Sequence, residues 1–75
     1  MADPTPNERR ITTHAQANGW TIHSRDDLMN TVEYRKRGRK AFTVAFGLNG
    51  HARWTSGAPR PIRTTSAVLA HLESR

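Results

Sequence analysis

The densest run of residues able to do chemistry lies between positions 35 and 40. Five of its six residues are cations and the sixth is glycine, in the order Arg35, Lys36, Arg37, Gly38, Arg39 and Lys40. Arginine binds phosphate or guanine through paired hydrogen bonds, whereas lysine supplies a point charge. We expect this run to form a hairpin tip, and a two-stranded ribbon fits the major groove of DNA with its tip able to follow a backbone. The alternative interpretation is a solvated turn whose charges prevent edge-to-edge strand pairing.

A second, looser basic set follows at Arg53, Arg60 and Arg63. Arg60 lies between two prolines, and we expect it to be merely exposed. Arg63 lies just before the second predicted helix, whose N-terminal amides can also bind phosphate. The predicted nucleic-acid-binding residues are therefore Arg35, Lys36, Arg37, Arg39, Lys40, Arg53 and Arg63.

Charge is distributed unevenly along the 75 residues. The net charge is +6, yet residues 1–34 hold three arginines against five acidic residues, a net −2. Residues 35–75 hold nine cations against one glutamate, a net +8. A segment this basic attracts a phosphate polymer or an acidic protein surface. Net charge of this size also serves solubility in small domains.

The remaining chemistry-bearing residues predict neither a metal site nor a catalytic constellation. The four histidines, His14, His23, His51 and His71, are far apart and have no carboxylate or cysteine at a ligand interval. The Asp26-Asp27 pair is typical of a turn or cap. We therefore expect no metal, no cofactor and no enzymatic activity.

Size and composition predict one small domain. Seventy-five residues with no cysteine can hold no disulfide framework, which fits a reducing cytoplasm. The N-terminus has no apolar segment of the signal-peptide kind, and no apolar run is long enough to span a membrane. We expect residues 1–4 to be a disordered tail and residues 5–75 to form the domain.

Two helices flank the predicted sheet. Thr5 at the N-cap, Pro6 at the first position and Glu8 at the third predict a capping box, and Gly19 predicts a left-handed stop after about Asn18. The second helix should begin at Thr64 or Thr65 as N-cap and reach about Ser74. Its apolar face follows helical spacing and comprises Val68, Leu69 and Leu72.

Alternation of apolar and polar residues predicts four strands, at about 20–23, 31–36, 40–46 and 51–55, with a polar turn at 24–27. The order α-β-β-β-β-α indicates an α+β fold, with one antiparallel sheet and both helices packed on one face.

Two hairpins fix which side chains reach the core. An odd-numbered loop such as Arg37-Gly38-Arg39 sets Tyr34 opposite Phe42. A three-residue loop, Leu48-Asn49-Gly50, would pair Val44 with Trp54 and place Gly50 at a left-handed bulge position.

This loop sends Trp54 into the core, and alternation along the first strand places Trp20 there as well. The outward face of the sheet is then expected to hold small and polar residues with no aromatic. Proteins that bind single strands without sequence preference stack bases on exposed aromatics. This prediction therefore favours binding of a duplex over binding of a single strand.

The succession of a helix, Gly19-Trp20 opening a strand, a basic sheet and a closing helix resembles HicA-type toxins and double-stranded-RNA-binding domains. That resemblance implies ribonuclease activity or duplex binding. HicA-like ribonucleases carry a Gly-Ser-His element at the second strand, where this chain has Leu28-Met29-Asn30-Thr31, so His23 or His51 would have to replace it. Double-stranded-RNA-binding domains carry a lysine cluster where this chain has Arg63-Thr64-Thr65.

A second resemblance lies in the general character of two short stretches of the sequence. The stretch 14–20, followed by Thr43-Val44-Ala45-Phe46, is similar to small proteins of actinobacteria and their phages. The leading hypothesis is a non-enzymatic nucleic-acid-binding module, with duplex favoured and contacts mostly to phosphates. The alternatives are a module that docks on an acidic protein and a HicA-like ribonuclease.

Overall fold

The fold is an antiparallel sheet with two helices, seen in a computed structural model that describes residues 5–58, 62 and 64–73. The elements are α1 (Pro6–Ala17), β1 (Thr21–Asp26), β2 (Thr31–Arg35), β3 (Phe42–Phe46), β4 (Ala52–Ser56) and α2 (Thr65–Glu73). The four strands pair in sequence order. The predicted α+β class and the order α-β-β-β-β-α are confirmed. Residues 1–4, expected to be a disordered tail, lie outside the described residues.

Local signals set the helix boundaries as expected. The Glu8 amide donates to the Thr5 hydroxyl over 3.3 Å, and Pro6 occupies the first turn of α1. Gly19 follows the C-cap with a φ of +88°, the left-handed conformation that stops a helix. At α2 the Ala67 amide donates to the Thr64 hydroxyl over 3.2 Å, so Thr64 is the N-cap.

One core joins both helices to one face of the sheet. Ile11 and Ala15 of α1 and Val68 and Leu72 of α2 are fully buried there. The sheet side of the core is formed by Trp20, Val32, Tyr34, Phe42, Val44 and Phe46. Each large apolar side chain buried in this way contributes about 1.5–3 kcal/mol.

The β2–β3 hairpin has the predicted register, with Tyr34 opposite Phe42. Both rings therefore enter the core. The Tyr34 hydroxyl lies 2.8 Å from the Thr12 hydroxyl, and burial raises the pKa of Tyr34 to about 12. Tyr34 therefore stays protonated at neutral pH.

The first strand lies further along the chain than predicted. It covers Thr21–Asp26 and continues through the segment expected to be a turn. A bulge between Ile22 and Ser24 allows the strand to continue in pairing with β2. The turn begins only after Asp26, whose carboxylate accepts the Leu28 amide at 2.9 Å. Ile22, opposite Tyr34 but on the edge strand, stays 45% exposed.

The fourth strand overturns the prediction for Trp54. Phe46 pairs with Ala52, as a three-residue loop would require, but the register shifts by one between Ala45 and Phe46. Arg53 is the additional residue on β4, so Trp54 lies opposite Ala45 instead of Val44. Because one inserted residue moves the next side chain to the other face of a sheet, Trp54 points away from the core and is 46% exposed.

An ion pair ties α1 to β1. The Glu8 side chain is only 6% exposed and accepts two hydrogen bonds from Arg25, over 3.0 and 2.8 Å. Arg25 also donates to Asn30 over 2.8 Å, and the hydrogen bond to Glu8 holds its pKa above the ordinary value. The Glu8 carboxylate, predicted to complete the capping box of α1, binds Arg25 of β1 instead.

Removing the cation of this pair should destabilise the protein. We expect Arg25→Met to lower the free energy of unfolding by about 1.5–3 kcal/mol, because Glu8 would stay buried without a charged donor. Adding Glu8→Gln should recover part of the loss, since a buried neutral amide costs less than a buried carboxylate. Urea denaturation measures both changes, with exposed Arg9→Met as the control. An unchanged midpoint in Arg25→Met would contradict the assigned role.

Candidate nucleic-acid interface

The predicted cations at 35–40 do lie at a hairpin tip. Residues 36–41, which we call the basic turn, connect β2 to β3. The Arg39 amide donates to the Lys36 carbonyl over 3.0 Å, and Gly38 has a φ of +75°. This hydrogen bond closes the turn and sets where each cationic side chain leaves the backbone.

The cations of the basic turn divide into anchored and exposed side chains. Lys36 is half-buried, and its Cε would lie 3.5 Å from a Cβ placed on Gly19. Arg39 is also half-buried, and its guanidinium lies 5.8 Å from the centre of the Trp20 ring. Arg37 and Lys40 are exposed. Of these side chains, Arg39 packs against Trp20, and the exposed pair is available to a partner.

Arg35 differs from the other predicted cations because it has an acidic partner. It lies on the sheet face away from the helices, where its Nε donates to Glu33 over 2.6 Å. Glu33 reduces the field of this arginine, so we expect Arg35 to contribute less to anion binding than Arg37 or Lys40.

Arg53 and Arg63 do not join the basic turn. Arg53 follows Ala52, the partner of Phe46, and so lies at the opposite end of the sheet, beside the β3–β4 turn. There it lines a separate groove with Gly47, Leu48 and Asn49. Arg63 and Arg60 lie outside the described residues. The structure thus groups the predicted residues of the basic turn and separates Arg53 from them.

The ion pairs formed by the described carboxylates do not involve the exposed cations of the basic turn. Glu8 and Asp27 pair with Arg25, and Glu73 lies 2.8 Å from His14. Within the described ranges, no carboxylate pairs with Lys36, Arg37, Lys40 or Arg53. The positive charge of Arg37 and Lys40 is therefore not neutralised locally.

A cleft lies beside the basic turn. It has a volume of about 260 Å³ and is lined by Arg39, Lys40, Gly57, Ala58 and His71. Gly57 makes the cleft possible, because its φ is +101° and a Cβ there would overlap the carbonyl oxygen of Ala41. This close approach brings the segment after β4 against the basic turn. Two cations and an imidazole thus line one recess.

His71 is the site residue that sequence reasoning missed. Its ring lies 4.4 Å from the Phe42 ring and 6.1 Å from the Trp20 ring, between centroids. Burial lowers the His71 pKa, and the charge of Arg39 lowers it further. The signal in the sequence was its spacing: His71 follows Val68 by three residues, which places it beside the apolar stripe of α2.

The open face of the sheet holds an aromatic ring, contrary to expectation. Trp54 lies there opposite Ala45, which is only 2% exposed. The other residues on this face are small, polar or charged: Ser24, Asp26, Thr31, Glu33, Arg35, Thr43 and Ser56. The expected absence of an aromatic therefore no longer argues against a single strand. The carboxylates of Asp26 and Glu33 share this face with Arg35, which pairs with Glu33, so the face offers a phosphate backbone no excess of positive charge.

No group of three or more histidines and carboxylates in the described part of the chain is placed to hold a metal ion. Over the same ranges, neither helix has the length and apolar character needed to cross a membrane.

Comparison with known proteins found no matching family model, no matching curated protein and no matching solved structure. Functional inference therefore depends on the geometry of the chain itself.

Proposed function

We propose that the protein is a non-enzymatic nucleic-acid-binding module of the cytoplasm that contacts the phosphate backbone of a duplex through the basic turn. The observation that carries this proposal is the placement of Arg37 and Lys40, exposed and without an acidic partner among the described residues, on a turn that is closed by a backbone hydrogen bond and packed against Trp20 through Arg39. A turn whose backbone is already closed by a hydrogen bond loses little backbone freedom when its cations meet a row of phosphates.

The expected mode of binding is electrostatic and only weakly dependent on base sequence. Phosphate contacts position a protein on a duplex without reading bases. A turn at the tip of a two-stranded ribbon is narrow enough to enter a major groove or to follow one backbone. Arg35 and Arg53 would add long-range attraction from other parts of the surface.

Removal of the two exposed cations tests this proposal. We expect Arg37→Gln/Lys40→Gln to weaken duplex binding and to reduce the salt slope by about 0.9 for each phosphate that is no longer neutralised. Fluorescence anisotropy with labelled duplex DNA and duplex RNA, from about 50 to about 300 mM salt, measures both quantities. The preferred duplex identifies the nucleic acid.

The matched control is Arg9→Gln/Arg10→Gln. It removes the same charge from an exposed pair on α1, near the opposite end of the sheet, where Asn7 donates to the Gly50 carbonyl over 2.9 Å. A general effect of net charge would weaken binding equally in both double variants. Equal losses, or no duplex binding at low salt, would overturn the assignment to the basic turn.

A second candidate is a module that docks on an acidic protein, using the same cations for steering. It is favoured by the large exposed apolar side chains of Leu28, Met29 and Leu48, on the β1–β2 and β3–β4 turns. Both turns lie at the same end of the sheet, and exposed apolar groups often mark protein contacts. A nuclease-resistant, stoichiometric partner that Leu28→Ser/Leu48→Ser releases would favour this function.

A further inference from the structure

Asparagine followed by glycine occurs twice in the chain, at Asn18-Gly19 and at Asn49-Gly50. In this dipeptide the backbone nitrogen of the glycine can attack the side-chain carbonyl carbon of the asparagine, because glycine has no side chain to shield it. The attack converts the asparagine into aspartate or isoaspartate and releases ammonia. Since the two dipeptides have the same covalent chemistry, their surroundings in the fold decide which one reacts.

The fold protects Asn18, the half-buried C-cap of α1. Its Nδ2 donates to the His14 carbonyl over 2.9 Å, which turns the carboxamide back along the helix and away from the Gly19 nitrogen. The backbone beyond it is held as well, because the amide of the buried Trp20 donates to the Ala15 carbonyl over 2.9 Å. The side chain reaches Gly19 only when these hydrogen bonds break.

Asn49 is held in the opposite way. It is exposed on the β3–β4 turn, and its Oδ1 accepts the His51 amide over 3.1 Å. A side chain bonded to the amide two residues ahead lies over the peptide bond that contains the Gly50 nitrogen. Within the described ranges, no hydrogen bond holds the Nδ2 of Asn49, the group that leaves as ammonia. The carboxamide is therefore already turned toward the attacking nitrogen.

We propose that Asn49 is a site of spontaneous covalent modification, where water converts the asparagine into isoaspartate and aspartate through a cyclic imide. The Gly50 nitrogen loses its proton to solvent and forms a bond to Asn49 Cγ. The bond from Cγ to Nδ2 then breaks, and the nitrogen takes a proton and leaves as ammonia. Water opens the imide at the side-chain carbonyl to give aspartate, or at the main-chain carbonyl to give isoaspartate.

The surroundings of Asn49 assist this attack. Negative charge collects on its Oδ1 as the new bond forms, and the His51 amide already donates to that oxygen. The side chain also lies beside Arg53, because Asn49 Oδ1 and Arg53 Cδ are each 3.2 Å from a Cβ placed on Gly47. No described carboxylate pairs with Arg53, so its charge favours the same negative oxygen.

Isoaspartate at this position should loosen the contact between the β3–β4 turn and α1. Gly50 is buried against Thr5, since a Cβ placed on it would lie 2.7 Å from Thr5 Oγ1. The Gly50 carbonyl also accepts the Asn7 Nδ2 over 2.9 Å. Isoaspartate carries the main chain through an additional carbon, which displaces Gly50 from both contacts. Aspartate adds the same charge and leaves the backbone unaltered.

Incubation of the full chain at constant pH, followed by peptide mapping with mass spectrometry, measures conversion at both dipeptides in one sample. We expect Asn49 to react about tenfold faster than Asn18 or more, because each hydrogen bond that must break slows the attack about two- to tenfold. In concentrated urea, where the fold is lost, the two rates should be similar. Equal rates in the folded protein, faster reaction of Asn18, or no reaction at either would overturn the proposal.

A matched pair of variants assigns the reaction to one asparagine. Asn49→Gln should abolish most of the ammonia release by the folded protein, since the longer side chain closes the ring far more slowly. Asn18→Gln makes the same change at the protected dipeptide and should leave the release unchanged. Equal release from the two variants would contradict the assignment to Asn49.

Thermal unfolding tests the consequence for the fold. The isoaspartate form, separated by chromatography, should have a lower Tm than Asn49→Asp, which has the same charge without the additional main-chain carbon. Equal Tm values would overturn the inferred loosening at Gly50. Duplex binding through the basic turn should change little in either form, because that turn lies at the opposite end of the sheet. Failure of this inference therefore leaves the proposed function standing, and the reverse holds as well.

Discussion

Gly57→Ala is expected to destabilise the protein more than the same change at any other glycine of the chain. The backbone at Gly57 has a φ of +101°, and an added Cβ would overlap the carbonyl oxygen of Ala41, which cannot rotate away. Strain at such a φ costs about 1–3 kcal/mol on its own, and the overlap adds to it. We expect a loss of about 3 kcal/mol or more, a large share of the roughly 4–11 kcal/mol of a domain this size.

Gly38→Ala is the matched control for this prediction. Gly38 also has a positive φ, +75°, but nothing lies within 4 Å of its added Cβ. It should therefore lose only about 1 kcal/mol, which corresponds to a fall in Tm of about 4–8 °C. Thermal unfolding followed by circular dichroism compares the two. Equal Tm values for both variants would show that Gly57 does not pack closely against Ala41.

The elements predicted correctly from the sequence depend on short-range signals. Thr5, Pro6 and Gly19 act on their own helix through local hydrogen bonds and φ preferences, so their effect is readable from neighbouring residues. The pairing of Tyr34 with Phe42 follows from alternation within one hairpin. Such information needs no knowledge of the rest of the chain.

The two bulges could not be predicted in the same way. The sequence around Arg53 alternates as a regular strand would, and nothing local marks it as an additional residue. Whether a strand takes up an additional residue depends on how the core is filled, and side chains from distant elements fill the core. One added residue exchanged the faces of Trp54 and Thr55, so a single missed bulge changed the predicted composition of the open face.

The candidate site likewise has one part that short-range signals predict and one part that they do not. The basic turn was predictable because its cations are contiguous and glycine marks the tip. The cleft joins residues 39–40, 57–58 and 71, which meet only when β4 and α2 are folded against the turn. The spacing of these three segments in the sequence does not indicate that they meet in the fold. In the sequence, His71 is only one of four widely spaced histidines, and its position beside Arg39 is seen only in the folded chain.

The two tryptophans, which sequence patterning assigned to one core, should differ sharply when each is truncated. Trp20 is 1% exposed, donates to the Leu72 carbonyl over 2.9 Å and packs beside Phe42. Trp20→Ala is expected to lower the free energy of unfolding by about 3–5 kcal/mol, because it opens a cavity and leaves that carbonyl without its donor. In a domain this small, much of the protein should unfold at 37 °C.

Trp54→Ala is the matched comparison, since it removes the same side chain from the open face. Trp54 is 46% exposed, and we expect its truncation to cost about 1 kcal/mol or less, the usual scale of a cross-strand contact. Urea denaturation followed by far-ultraviolet circular dichroism measures both losses without relying on tryptophan fluorescence. Similar losses in the two variants would mean that β4 keeps Trp54 in the core, and that the bulge at Arg53 is absent from the folded protein.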